Sequence, residues 1–196
     1  MGEFWFGRLV AHIFFSLIIV AGVLTTFKKR WLSFFVIVLA VASLTLSWAE
    51  EFRLVEGLAV LTNGLSLIYL GILLAVVIAQ VFRDGPVTAH RIRGAILIYL
   101  LLGAMWAFTY QVVALTIPQA FRLPEGLTAG NPNTLRQELT YFSFVTLTTT
   151  GYGDITAVHP VARTLVILEA LVGQLYPAIV LAWLVSLAIL HQKEKP

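Results

Sequence analysis

The sequence predicts an all-α integral membrane protein with about five transmembrane helices and one shorter helix that enters the bilayer and stops. Three observations carry this. Of the 196 residues, 59% are hydrophobic and 12% are charged, more apolar surface than a water-soluble domain of this size hides in one core. The mean hydropathy of +0.91 agrees. Several apolar runs approach or exceed the roughly 20 residues that a helix needs to cross a bilayer. Between the last two runs lies a stretch of prolines, glycines and threonines that breaks the pattern.

The five spans are drawn at Leu9 to Phe27, Trp31 to Trp48, Gly57 to Phe82, Gly94 to Ile117 and Val161 to Leu190. The charges between them set an orientation. Lys28, Lys29 and Arg30 follow the first span, Arg83, Arg91 and Arg93 follow the third, and Lys193 and Lys195 follow the last. Placing these in the cytoplasm satisfies the positive-inside rule. The opposite side then receives Glu50, Glu51, Arg53, Glu56, Arg122, Glu125, Arg136, Glu138 and Asp154, where acids outnumber bases. Five spans put the amino terminus outside and the carboxyl terminus inside. The first span is expected to be a retained helix, because its basic residues follow the apolar stretch, whereas a cleavable signal carries them in front. Trp5, Trp31 and Trp48 fall near the boundaries, where amphipathic rings sit well, while Trp106 and Trp183 fall within spans and are read as packing or lipid contacts.

Composition also narrows the chemistry. There is no cysteine, so disulfides, thiolate metal sites and cysteine nucleophiles are excluded. The formal charge of +3 is spread over segment ends, a pattern of membrane topology rather than of nucleic-acid binding. No convergent His/Asp/Ser set, metal-ligand cluster or nucleotide loop supports an enzyme or a bound cofactor.

The irregular stretch from Ile117 to Pro160 contains the chemistry. Pro118, Pro124, Gly126, Gly130 and Pro132 mark an outer loop. A helix is predicted from Thr134 to Leu147, with Asn133 or Thr134 as cap and Thr134 and Gln137 spaced as a capping box. It is too short to cross a bilayer, and a re-entrant loop is tolerated at membrane depth only where protein or water surrounds its backbone. Gly151 and Gly153 permit backbone conformations that let successive carbonyls face one axis. Four chains would then stack rings of carbonyl oxygens from Thr149, Thr150, Gly151 and Tyr152, with the Thr149 hydroxyl as innermost ring. Such rings replace the water shell of a cation. One loop per chain and no internal repeat mean that a single chain cannot close the ring.

Here the sequence resembles a known family. Thr149-Thr150-Gly151-Tyr152-Gly153-Asp154 is similar to the selectivity-filter signature of the tetrameric potassium channels, in particular small subunits of bacterial type. The resemblance covers roughly Arg93 to Leu190. It implies an outer helix, a pore helix, a filter and an inner helix, a homotetramer in lipid, and passive potassium permeation with the ion held at Thr149, Thr150, Gly151, Tyr152 and Gly153. Position 150 is usually valine or isoleucine in that family, with the side chain turned from the ion path. Threonine there bears on filter rigidity more than on ligation and leaves a weakly selective cation pore as an alternative. Tyr152 argues for potassium. A transport-associated or non-conducting membrane subunit is the third reading; related transporters usually carry several degenerate loops, and this chain has one intact loop.

The resemblance also implies supporting residues. Asp154 is expected to accept a bond from an aromatic donor of the pore helix, a place that Tyr141 fills. Glu169, the one acid inside a predicted span, is a functional candidate on cost alone, and a bond to pore-helix hydroxyls such as Thr146 or Thr148 is expected. Gly173 stands where the family often has a hinge, and Pro177 disturbs the helix four residues on; together they form a candidate gating hinge, or Gly173 permits close packing. Gln174 is a candidate cavity residue. His90, His159 and His191 are read as ordinary surface residues. The chain divides into residues 1–90, three helices without the arginine ladder of a voltage sensor, and residues 91–196, the pore domain. Six-helix relatives place four helices ahead of the pore pair; here there are three. About six residues follow Leu190, so ligand control is expected to need a separate regulatory subunit. The expected location is the cell membrane, with filter and outer loop extracytoplasmic.

Overall fold

The computed structural model describes residues 37–43, 45–46, 59–83, 88–124 and 132–193. The first predicted span, the ends of the second, their charged flanks, Trp5, Trp31, Trp48 and most of the outer loop lie outside the described residues. Four helices and one strand pair follow: α1 (Ala59–Val81), α2 (Ala89–Thr116), β1 (Phe121–Arg122), α3 (Pro132–Leu147), β2 (Thr156–Ala157) and α4 (Pro160–Lys193). Residues 37–43 and 45–46 are also helical. Among the described residues three helices, α1, α2 and α4, are long and apolar enough to cross a membrane.

α1 and α2 form an antiparallel pair, and the residues at their contact explain how close they come. A β-carbon on Gly94 would stand 2.4 Å from a Val81 methyl, so the missing side chain admits valine. Tyr69, Leu70, Leu73 and Val77 of α1 bury against Ile98, Leu101 and Phe108 of α2, and Ala40 joins from the preceding helix. That helix is also tied to α1 through the Ser43 and Ser66 hydroxyls, 2.9 Å apart and both fully buried. At the same end as the Val81–Gly94 contact, Phe82 packs on the Trp183 ring of α4 at 4.7 Å, and the Arg91 guanidinium lies 5.8 Å from the same ring. Trp183 is thus a packing residue. Trp106 is one too: it stacks on Tyr110 at 6.1 Å.

α2 stops before Pro118, where Ile117 adopts the extended backbone that proline imposes on its predecessor. The chain then makes β1, which pairs antiparallel with β2 so that Phe121 faces Ala157 and Arg122 faces Thr156. The strand pair makes the fold less than purely helical. It closes the chain around the loop that contains α3 and the threonine-glycine segment. The N–H groups of Val158 and His159 donate to Ala120 O, and the Arg163 side chain donates to Ala157 O. α3 begins at Pro132, two residues ahead of the sequence boundary. Proline is favoured at a first helical position because it lacks the N–H that would go unpaired there; Thr134 therefore lies within the first turn and is not the cap.

Candidate ion-conduction site

The segment from Thr148 to Asp154 hangs from the end of α3. The Thr148 N–H donates to Phe144 O at 3.0 Å, Thr149 to Thr146 O at 2.9 Å, and Thr150 and Gly151 both to Val145 O at 3.0 and 3.3 Å. Carbonyls at a helix end lack intrahelical partners, and here the next four N–H groups take them up. Among the described residues no donor reaches the carbonyl oxygens of Thr149 through Gly153. The backbone φ is positive at Thr149 (58°), Gly151 (55°) and Gly153 (79°) and not at Thr150 or Tyr152. The backbone thus alternates in hand from residue to residue. Glycine adopts positive φ freely. Thr149 does not: a β-branched residue at positive φ is strained by about 1–3 kcal/mol, a feature that the sequence reading, attending to the glycines, missed.

Hydroxyls organise the base of the segment. Thr148 Oγ donates its one proton to Phe144 O at 2.7 Å, so the 3.0 Å contact between the Thr148 and Thr150 hydroxyls takes its proton from Thr150. The Thr150 hydroxyl is thereby directed at Thr148. Tyr152 is 71% exposed, an unusual position for a large aromatic ring.

Beyond the glycines, Tyr141 Oη donates to Asp154 Oδ2 at 2.7 Å, the bond expected from the sequence, and the Ile155 N–H donates to Asp154 Oδ1 at 3.1 Å. The hydrogen bond to Asp154 is the main reason that the Tyr141 phenol is pushed up to about 12. With the folded value raised, the bond is intact through the ordinary pH range and is lost only as pH rises through that value. Glu138, on the same helix, is raised above the usual carboxylate range, first by burial and then by the charge of Asp154.

Behind α3, Glu169 is fully buried and bonded to hydroxyls, but not to those of Thr146 or Thr148. Its partners are Ser143 at 2.6 Å and Tyr110 at 2.5 Å. Helix register explains the correction. Leu147 meets Gly173, and one turn earlier on each helix is Ser143 and Glu169. Tyr110 arrives from α2, in an aromatic cluster with Phe121 and Phe142 at 5.5 and 5.3 Å. The sequence reading missed Tyr110 and Ser143; a tyrosine on the span facing the buried acid was the available signal.

Gly173 stands against backbone. A β-carbon there would be 2.0 Å from Leu147 O and 2.7 Å from its carbon, so close approach to the end of α3 is what this structure asks of it. α4 is helical through both Gly173 and Pro177. Pro177 has no N–H for the Gly173 carbonyl. Leu147 O receives a second contact, the Tyr99 hydroxyl at 3.0 Å; the Tyr99 ring stacks on Tyr176 at 6.0 Å, and Tyr176 Oη donates to Ala95 O at 2.8 Å. Gln174 is exposed, as are Leu171, Leu175 and Ile179 of the same helix. His159 is half-buried and its Nδ1 accepts the Val161 N–H at 3.3 Å; the side chains of His90 and His191 lie outside the described residues.

Residues 95–189, from the first turns of α2 nearly to the end of α4, match the family described as "Ion channel". Residues 95–189 are an ion-channel domain. The match includes α3, the threonine-glycine segment and every supporting contact described above. No curated protein and no solved structure matches the chain significantly. The matched residues include most of α2 and α4, two of the three helices that are long and apolar enough to cross a membrane, which supports a membrane protein and ion transport.

Proposed function

We propose that this protein is a subunit of a homotetrameric potassium-selective channel, with Thr149, Thr150, Gly151, Tyr152 and Gly153 as the ion path. The observation that carries the reading is the alternating backbone of Thr149–Gly153: its lower N–H groups are spent on the end of α3, and among the described residues no donor takes its carbonyl oxygens. Dehydrated potassium needs rings of such oxygens, and one chain supplies one side of each ring. The uncovered faces support the fourfold assembly. Only 17% of the α4 apolar window is buried, against 39% and 44% for α1 and α2, and exposed Tyr152 awaits a neighbouring subunit.

In this reading potassium sheds water at Thr149 and moves between carbonyl rings by knock-on, down its gradient, with no enzymatic step and no bound cofactor. α3 points its carboxyl end at the cavity and favours a cation there. Tyr141 and Asp154 hold the outer end of the filter, Glu169 holds α3 from behind, and motion about Gly173 and Pro177 opens the inner mouth. Residues 91–196 form the pore domain and residues 1–90 its membrane scaffold, in the cell membrane with the filter extracytoplasmic, the carboxyl terminus cytoplasmic and any regulatory subunit separate. The test is flux from proteoliposomes loaded with potassium into sodium medium. Potassium-selective efflux, blocked by barium and absent in Gly151→Ala, is expected. Equal efflux of sodium from sodium-loaded vesicles would replace the reading by a weakly selective cation pore.

A further inference from the structure

The hydroxyls around Glu169 can be counted, and the count places a proton. Three oxygen-oxygen contacts meet in one fully buried cluster: Tyr110 Oη to Glu169 Oε2 at 2.5 Å, Ser143 Oγ to Glu169 Oε1 at 2.6 Å, and Ser143 Oγ to Gly103 O at 2.8 Å. Tyrosine and serine each bring one proton, and a peptide carbonyl brings none. An ionised Glu169 only accepts. Two protons would then have to serve three contacts. If serine donated to the carboxylate, its lone pairs would face the Gly103 carbonyl at 2.8 Å. If it donated to Gly103, two sets of lone pairs would meet at 2.6 Å.

One additional proton on Oε1 resolves all three contacts. We propose that Glu169 is a neutral carboxylic acid in the working protein, donating to Ser143, which donates to Gly103 O, while Tyr110 donates to the other carboxyl oxygen. The chain of bonds then runs in one sense, with three protons for three contacts. It joins α4 through Glu169, α3 through Ser143 and α2 through Gly103 and Tyr110.

The surroundings agree. The titratable groups facing the acid are Tyr110 and, farther along α2, Tyr99. α3 offers only the Ser143 hydroxyl, and no cation of the described residues faces the acid from any of the three helices. A lone ionised carboxylate without a counter-charge is expensive inside a membrane helix bundle, whereas a neutral acid in a complete network fixes helix positions at little cost. Glu169 is accordingly a positioning residue: it sets α3 by donating a proton and keeps a fixed negative charge away from the conduction path. The proposal concerns that proton and stands whether or not the pore selects potassium.

The test is infrared difference spectroscopy of the full chain in lipid at neutral pH, wild type against Glu169→Gln. Glutamine keeps one donor and one acceptor at the same places, so the variant retains the network and its fold. A protonated-carboxyl stretch that shifts in deuterium oxide and is lost in Glu169→Gln is expected. Tyr110→Phe, which removes the donor to the acid's other oxygen, moves that band to higher frequency. An ionised-carboxylate difference at neutral pH, with no protonated band, overturns the proposal.

Discussion

Adding one methyl group at Gly173 tests how the inner helix meets the end of α3. In Gly173→Ala the β-carbon is placed 2.0 Å from Leu147 O and 3.0 Å from Leu147 Cα, where ordinary contact begins at 3.4 Å. The obstructing atoms are backbone at the root of the threonine-glycine segment and have no rotamer with which to yield. The helices must part by the difference, about 1.4 Å, and overpacking of this kind costs about 1–3 kcal/mol. The displaced carbonyl is also the acceptor of Tyr99, and it directly precedes Thr148 and Thr149. Thermal unfolding in detergent and single-channel recording read the two consequences, a lowered midpoint and an altered conductance. Gly64→Ala and Gly71→Ala are internal controls: nothing lies within 4 Å of either added carbon, and alanine in a helix is favoured over glycine by roughly 0.5–1 kcal/mol. Their midpoints stay level or rise. A Gly173→Ala protein as stable as wild type, with wild-type conductance, refutes the reasoning. A variant of wild-type stability that changes only open probability leaves Gly173 its hinge role and removes the packing one.

Three further outcomes follow from named contacts. Tyr141→Phe removes the donor to Asp154 while keeping the ring; the filter is expected to collapse faster during sustained opening, read as quicker current decay, and unchanged decay would remove the bond from any supporting role. Ser66→Ala strands the buried Ser43 hydroxyl and is expected to cost about 1–3 kcal/mol, whereas the double alanine variant recovers part of that loss; additive losses would mean that the two hydroxyls do not interact. For Glu138 the sign runs toward acid: a folded value above the unfolded one gives a contribution fully present below the unfolded pKa and lost as pH rises through the folded one. Glu138→Gln should therefore be the more stable protein at neutral pH, with the gap closing on acidification, and a gap that widens in acid would reverse the assignment.

Much of this was legible in the sequence because membrane constraints are severe. Apolar length alone located α1, α2 and α4 to within a few residues, since a spanning helix must satisfy its own backbone. The threonine-glycine segment stood out because glycines spaced by one residue after a short helix signal a special backbone, and Gly151 and Gly153 do have positive φ. The Tyr141–Asp154 bond followed from the resemblance. Tertiary register was not legible. Choosing Ser143 over Thr146 as partner of Glu169 requires knowing that Leu147 faces Gly173, and sequence spacing along α3 alone leaves each hydroxyl available. The β1–β2 clasp, two residues a strand, is too short for alternation to register. Positive φ at Thr149 opposes local propensity and is held only by the N–H bonds to the end of α3, so no local signal announces it. At Gly173 the sequence left hinge and close packing open together; the Leu147 backbone supplies the packing reason.

The most direct measurement of the central claim is the reversal potential of the purified protein in a planar bilayer, under opposed potassium and sodium gradients, with Gly151→Ala beside it. The carbonyl path from Thr149 to Gly153 predicts reversal close to the potassium equilibrium value and no current through Gly151→Ala. Robust current reversing near zero, or current that survives Gly151→Ala unchanged, contradicts it.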